Sequence, residues 1–480
     1  MSRLSNRTLD QLPPHVARPE YDRSALGRGI VHLGLGAFHR AHQAAYTDAV
    51  LAAGDARWGI TAASLRSADT RDALGPQDGL YALDVRGEHD RVAVIGAITG
   101  ILVAPEDPAA LITRLVDPAT AIVSLTVTEK AYCRDPATGD LDPAHPDIVH
   151  DLGHLNAPRS ALGFLAAAIA RRRDHGLAPF TVLCCDNLPS NGRTVHRLLQ
   201  QFASLHDRDL AAYIEGEVAS PDTMVDRIVP ATTDADRARV AGALGLKDAW
   251  PVVTEPFQQW VIEDRFPAGR PEWERAGATM VADVGPFEAM KLRMLNASHS
   301  ALAYLGYLAG AETVADAMRD PGLAAFAARV MDEAAVTLPS GLDTAAYARS
   351  LLDRFRNPAL HHRTWQIAMD GSQKLPQRVL ATLSDRLGRG LPITTHALIV
   401  AAWMRYVTGI DEAGAPIDVR DPLADLLART ATGLEPYRLA PALLDMRQVF
   451  GDLGRDERVR SAVTEALRRL YDLGAAKACR

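Results

Sequence analysis

Lysine is scarce in this chain, and one of the few lysines shares a short segment with a glutamate, an asparagine and a histidine. The 480 residues include 52 Lys plus Arg, of which only five are Lys: Lys130, Lys247, Lys291, Lys374 and Lys477. Arginine stays protonated in proteins, whereas burial and neighbouring charge can pull a lysine toward neutrality. Lys291, in EAMKLRMLNASHS (residues 288–300), is therefore a candidate for proton chemistry. On an α-helix advancing about 100° per residue, Glu288, Asn296 and His299 fall with Lys291 inside an arc of roughly 140°. Leu292 and Leu295 share that arc, which suits the wall of a cleft better than a solvated face.

Dehydrogenation of an alcohol needs a base for the hydroxyl proton and donors that stabilise the oxygen as the hydride leaves. A lysine serves as the base if its pKa falls from about 10.4 toward 7–8, as a partly desolvated cleft allows. Asparagine amides can serve as the donors. No YxxxK pair stands where a tyrosine-based reductase would need one. The four cysteines, Cys133, Cys184, Cys185 and Cys479, include no CxxC pair and no zinc spacing, so no metal is expected. Cys184 and Cys185 lie in an apolar run and read as small core residues. Lys291 remains as the base.

Groups of this kind must be held against a cofactor, and the sequence contains a turn suited to one. In GIVHLGLGAFHRAHQ, an apolar run ends in glycines and a helical pattern follows. Gly34 and Gly36 match the first two glycines of the GxGxxG dinucleotide fingerprint, while His39 takes the third place. The residues expected at the cofactor are Gly34, Gly36, Ala37, Phe38 and Arg40. The second strand ends in SLRSAD, where Arg66 suits a 2′-phosphate and Asp69 a ribose 2′-hydroxyl. The reading leans to NAD with NADP open, and Asp69 serves equally well as a helix N-cap.

Further strands are expected in WGITAASL, RVAVIGAI, AIVSLTVTE and FTVLCCDN, with a helix in SALGFLAAAIARRR. Continuous apolar strands alternating with helices predict a parallel sheet covered on both faces. After about residue 283 the text becomes Ala/Leu-rich and helical, broken by short Pro/Gly turns. The expected fold is an α/β Rossmann-type domain with a mostly parallel sheet over residues 1–283, followed by a mostly α-helical substrate and catalytic domain over 284–480.

Composition narrows the function. Hydrophobic residues at 48% and charged residues at 23% are globular values, and a net charge of −7 with no basic stripe argues against nucleic-acid binding. No run of 18 apolar residues and no apolar h-region near the N-terminus occur, so membrane insertion and secretion are not expected. With its few cysteines, the chain reads as cytoplasmic.

The segments GLGAFHRAHQ, SLTVTEKAYC, CDNLPSNGR, TMVDRIVP, EPFQQWVIED, KLRMLNASHS and QIAMDGSQKLPQR together resemble the polyol-specific long-chain dehydrogenases, the mannitol 2-dehydrogenase and fructuronate reductase family. They run in the family's order from about residue 30 to 380. The resemblance implies a zinc-free mechanism, often in a monomer, with Lys291 as general base and Asn187 and Asn296 as oxyanion donors. It implies that His299 positions the substrate and that Glu288 conducts the proton away from the lysine. Asp226 and Lys374 would touch substrate hydroxyls, although Asp226 also reads as a partner of Arg227 and Lys374 as a loop cap. Eight residues before that lysine, the mannitol enzymes resemble one another in an arginine that grips the polyol, whereas this chain has Gln366. The longer string HRTWQIAMDGSQK looks more like the fructuronate reductases, whose uronate substrate carries a carboxylate that calls for a cation. Arg363, Lys374 and Arg378 are near in sequence. The expected reaction is hydride transfer between NAD(H) and C2 of D-fructuronate or D-mannonate. Mannitol or arabinitol oxidation and a catalytically inactive sugar or nucleotide sensor are the alternatives.

Overall fold

Strands in which nearly every residue is apolar or small can be buried on both faces, and this principle builds the first sheet. In the computed structural model, which describes residues 1–135 and 138–480, the strands are β1 (Ile30–Leu33), β2 (Ile60–Ser64), β3 (Tyr81–Val85), β4 (Arg91–Ile95), β5 (Ile98–Val103), β6 (Ile122–Leu125), β7 (Thr181–Cys184), β8 (Thr223–Asp226), β9 (Val252–Thr254), β10 (Gln259–Glu263) and β11 (Thr279–Val281). Five of them form one sheet in the order β5-β2-β1-β6-β7, every neighbouring pair parallel. Ile30 of β1 stands in register with Ile60 on one side and Ile122 on the other.

The period-two alternation divides the side chains between two cores. Val31, Leu33, Val123, Leu125 and Val182 face a core completed by Leu111, Phe164, Leu165 and Leu198. These come from the helices Pro108–Val116, Ala161–Asp174 and Asn191–His206. Ile30, Ile60, Ile122 and Leu183 face the other core, with Tyr46, Trp58, Trp260 and Trp273. Each such aliphatic side chain, fully buried, adds about 1.5–3 kcal/mol to folding.

One strand expectation needs correcting. RVAVIGAI is not the third parallel strand but β4 plus the first residue of β5. β4 runs antiparallel to β3 in a separate three-stranded sheet of order β4-β3-β9. The break falls at Gly96, where a Cβ would lie 2.5 Å from the Pro19 ring. The true third strand, β5, is an edge strand whose middle residues are only partly buried, so it lacks the continuous apolar run of its neighbours. A third small sheet, β11-β10-β8, carries Asp226 at the end of β8.

The chain divides into two compact units, Met1–Val284 and Gly285–Arg480. Among the described residues the second unit contains helices and no strand beyond isolated bridges. Its helices Ala297–Leu308 and Thr394–Tyr406 are buried almost all round and pack against each other, as centrally placed apolar helices must. No helix among the described residues is long and apolar enough to cross a membrane.

Two helices in this unit contain a π-turn. Lys291–Asn296 is π between the α-helices Gly285–Met290 and Ala297–Leu308. Pro376–Leu380 is π between Gly371–Leu375 and Ala381–Gly388. Pro376 has no N–H to give an α-helical ladder, and a wider turn accommodates the missing bond. The two π-turns pack against one another.

Candidate active site

The glycine turn follows β1 at the centre of the parallel sheet, where the strand order reverses. Gly34 has φ 95°, and a Cβ there would stand 2.2 Å from the Thr126 carbonyl oxygen, so only glycine fits. Gly36 is exposed, and a Cβ on it would meet only the Gly34 carbonyl oxygen at 3.8 Å. The space above it is open to a ligand's approach. Helix α1 (Ala37–Ala41) starts there with no side chain capping its first N–H groups, and α2 (Gln43–Ala52) continues after a break at His42. Open glycine and uncapped amides fit a pyrophosphate.

The third glycine's place is taken by a ring that packs flat. His39 stacks on His32 of β1 with centroids 3.4 Å apart and planes 13° apart, which lets helix and strand approach closely without glycine. The His32 ring contacts Ser124 Oγ at 2.8 Å, Thr126 Oγ1 at 2.9 Å and the Gly34 carbonyl at 3.2 Å, and so supports the turn from below. Burial pushes the His32 pKa down to about 3 and that of His39 well below the ordinary value. Both are therefore neutral in the native state, whereas in the unfolded chain they protonate near pH 6.5. Stability from this pair is complete above that pH and is lost as pH falls below it, at about 1.4 kcal/mol per pH unit for each ring. His39→Phe keeps a ring but removes one titration. Its denaturant-derived stability should fall less steeply between pH 6.5 and 5 than the parent's, and equal slopes would contradict this assignment.

Arg40 was expected at the cofactor, and the structure places it elsewhere. It is 2% exposed, donates to the Trp250 carbonyl, and lies over the Tyr81 and Trp250 rings. Its role is packing. Ala37 and Phe38 stay at the start of α1, partly exposed. Asp69 is the exposed first residue of α3 (Asp69–Leu74), where Ala68 holds the N-cap position, so the capping alternative does not apply. Its carboxylate accepts from Ser67 Oγ at 2.9 Å. Exposed Arg66 lines a cavity of about 640 Å³ with Leu65, Pro105, Lys130 and Arg159, beyond the carboxyl ends of β2, β5 and β6. Open α/β sheets bind ligands in this crevice.

That cavity also gathers a donor set that sequence spacing does not reveal. Cys133, His145 and Asp147 bring one ligand-type atom each within 4.8 Å of one another. Burial and the nearby Asp147, Asp151 and Asp142 push the Cys133 thiol up to about 12, and His145 Nδ1 accepts the Asp147 N–H as a helix cap. The set has the chemistry of a protonated thiol beside a cap. Cys184 and Cys185 are buried among apolar residues.

Asn187 stands exposed just beyond β7. The residue before it sets its place: Asp186 accepts from the N–H groups of Val127 (3.0 Å) and Thr128 (2.9 Å) and from Tyr132 Oη (2.7 Å). Asn191 ties the same loop to β8 through the Asp186 carbonyl and Thr223. Neither Asp186 nor Asn191 stood out in the sequence, although both lie in the CDNLPSN string. Asp226 is buried at the end of β8. Arg227 donates to the carbonyls of Ala41 and Glu255 and to Gln258 Oε1.

In the second unit the π-turn alters the geometry of the lysine segment. It inserts about one extra residue into the helix, which rotates later side chains back by about 100°. Asn296 and His299 then move toward Lys291, and the arc holding all four polar groups narrows from about 140° to about 80°. Lys291, Asn296 and His299 are buried, at 7%, 8% and 9% exposure, and Glu288 is half-buried. Arg293 anchors the turn to Asp385 Oδ2 (2.6 Å) and Thr337 Oγ1 (3.0 Å).

The His299 ring stacks on Phe355 (5.1 Å, 18°) and meets the edge of His362 (4.7 Å, 74°). Burial first, then the charges of His362, Arg378, Arg354 and Lys374, hold its pKa well below the ordinary value. Its Nε2 is buried with no hydrogen-bond partner among the described residues. Lys374 Nζ donates to the carbonyls of Met369 (2.6 Å) and Ile367 (3.3 Å), the loop-capping arrangement. Gln366 is exposed on the short helix Thr364–Ala368.

Comparison with known proteins completes the picture. The mannitol dehydrogenase Rossmann domain matches residues 28–275, and the mannitol dehydrogenase C-terminal domain matches 283–471. Uncharacterized oxidoreductase YeiQ of Escherichia coli (strain K12) is 49% identical over 97% of both chains. The D-mannonate oxidoreductase of the same strain is 46% identical over 96% of both. The structure of Pseudomonas fluorescens mannitol 2-dehydrogenase, a ternary complex with NAD and D-mannitol, superposes with a TM-score of 0.88 at 39% identity, covering 99% of this chain and 98% of that one. A Rossmann unit followed by a helical unit, both matched in order along nearly the whole sequence, makes this chain a member of the mannitol dehydrogenase family of oxidoreductases.

Proposed function

We propose that this chain is a zinc-independent oxidoreductase that uses NAD to interconvert a 2-keto sugar acid and its 2-hydroxy form, with D-fructuronate and D-mannonate as the pair. The observation that carries this reading is end-to-end similarity to a D-mannonate oxidoreductase. Gln366, where the resemblance puts arginine in the mannitol enzymes, supports it.

NAD, when bound, accepts or supplies the hydride at its nicotinamide ring. Gly34, Gly36, Ala37 and Phe38 hold its pyrophosphate on backbone amides, and Asp69 takes a ribose hydroxyl. Lys291 removes the C2 hydroxyl proton in oxidation and returns one to oxygen in reduction, and half-buried Glu288 passes that proton to solvent. Amide N–H groups of Asn187 and Asn296 donate to the C2 oxygen and favour the charge that develops on it. His299, kept neutral by burial, offers Nε2 to a substrate hydroxyl. Asp226, Lys374 and Gln366 contact the remaining hydroxyls. The chain acts in the cytoplasm as a monomer.

The second reading, oxidation of D-mannitol to D-fructose, is favoured by the likeness to the mannitol 2-dehydrogenase structure. A panel following NADH and NADPH oxidation with D-fructuronate, D-tagaturonate, D-fructose and D-xylulose separates the two. The expected outcome is NADH preferred over NADPH and D-fructuronate over D-fructose. A tenfold preference for D-fructose replaces the uronate reading with the mannitol one.

A further inference from the structure

A uronate differs from a ketose by one carboxylate, and the second unit holds a cation with no acid to answer it among the described residues. We infer that Arg378 is the group that binds the substrate carboxylate and thereby selects sugar acids over neutral sugars. The inference rests on the uronate reading above.

Arg378 lies in the π-turn Pro376–Leu380, which packs against the π-turn that carries Lys291 and Asn296. Its Nη1 donates to Ser300 Oγ at 3.2 Å, and Ser300 directly follows His299. The guanidinium is thus fixed next to the histidine assigned to a substrate hydroxyl. π-Turns inside α-helices are uncommon and recur at functional sites, and here two of them face each other.

Two other arginines of this unit that are not exposed have acids: Arg293 meets Asp385 at 2.6 Å, and Arg386 meets Glu333 at 3.2 Å, while half-buried Arg405 has a hydroxyl and two carbonyls. Among the described residues Arg378 has no carboxylate within ion-pair distance, and Ser300 is its one hydrogen-bond partner. Burial lowers its pKa, and the neighbour that opposes the shift is a tyrosine, Tyr304. Arg378 is half-buried, and a partly desolvated guanidinium without a counter-charge is unfavourable, while its planar fork matches a carboxylate bidentately.

The neighbouring cations are less suited. Arg363 is exposed and pairs with Glu312 at 3.7 Å. Lys374 has two of its donors engaged by the carbonyls of Ile367 and Met369. Of the three cations near this segment in sequence, Arg378 is the one that combines a planar guanidinium fork with a charge that acts on His299.

The test compares kcat/KM with NADH for D-fructuronate and D-fructose in the parent, Arg378→Gln and Arg378→Lys, with NAD binding as the check on folding. Arg378→Gln should lower the fructuronate-to-fructose ratio about 10²-fold, chiefly through the KM for D-fructuronate, and Arg378→Lys should keep part of it. In the parent, added salt should raise the KM for D-fructuronate more than that for D-fructose. An unchanged ratio in Arg378→Gln, or equal losses on both substrates, overturns the inference while leaving the uronate reading in place. If the Gln variant does not fold, the Lys variant and the salt series decide in the same sense. Should the parent prefer D-fructose, the uronate reading fails by itself. Arg378 is then judged by competitive inhibition with D-mannonate: tenfold or greater weakening in Arg378→Gln keeps it as a carboxylate site, and unchanged inhibition removes it.

Discussion

Replacing Lys291 with alanine is expected to lower turnover by about 10²–10⁴-fold and to leave NAD affinity nearly unchanged, because in the proposed reaction the change removes a base and not a cofactor contact. Lys291 is 7% exposed and sits in the π-turn Lys291–Asn296. Arginine at this position should not restore activity, since a guanidinium keeps its proton. The loss should appear in kcat under saturating substrate, with NAD binding measured separately by titration. Near-native turnover in the alanine variant would remove Lys291 from the proton transfer.

Loss of either amide donor should be the next largest effect. Asn187→Ala and Asn296→Ala are each expected to reduce kcat by about 10²–10³-fold, since a hydrogen bond to the C2 oxygen strengthens as that oxygen gains negative charge. The bonds of Asp186 to Val127, Thr128 and Tyr132 are untouched by the Asn187 substitution, and circular dichroism of the variant checks that the fold is kept. The double variant should be slower than either single one, by less than the product of the two effects, as the proposed sharing of one oxygen by both donors requires. Steady-state kinetics on all three variants provide the check. An effect confined to KM would mean that the amides hold only the ground-state substrate.

Much of the first unit was legible because its signals are local. A mostly apolar strand without period-two alternation announces a sheet covered on both faces, and β1, β2, β6 and β7 have that character, broken only by His32, Thr61, Ser64, Ser124 and Thr181. β5 does not, because an edge strand leaves Thr99 and Gly100 partly open, and the more apolar β4 beside it in sequence took its place in the reading. Gly34 was legible as the first glycine of the dinucleotide fingerprint, and its φ of 95° is the turn that place requires. His39 was not explained, since its fit depends on a ring across the strand, His32, which no spacing rule reports. Arg40 was misplaced for a similar reason: an arginine next to a glycine turn suggests phosphate, and only the fold shows Trp250 and Tyr81 enclosing it.

The residue types of the candidate site were readable in residues 288–300, but their geometry was not. Helical periodicity assumes a constant turn, and a π-turn leaves no mark in composition. In the second case Pro376 offers a hint, because a proline inside a helix must disturb the ladder. The pairing of Arg378 with Ser300 joins positions 78 residues apart and depends on the two π-turns packing together.

The central claim is hydride transfer at C2 of a sugar acid, and the direct measurement is a head-to-head assay of kcat/KM with NADH for D-fructuronate and D-fructose under identical conditions. D-fructuronate is expected to be reduced to D-mannonate with at least a tenfold higher kcat/KM than D-fructose. A tenfold advantage for D-fructose, or no NADH oxidation with either, would contradict the account.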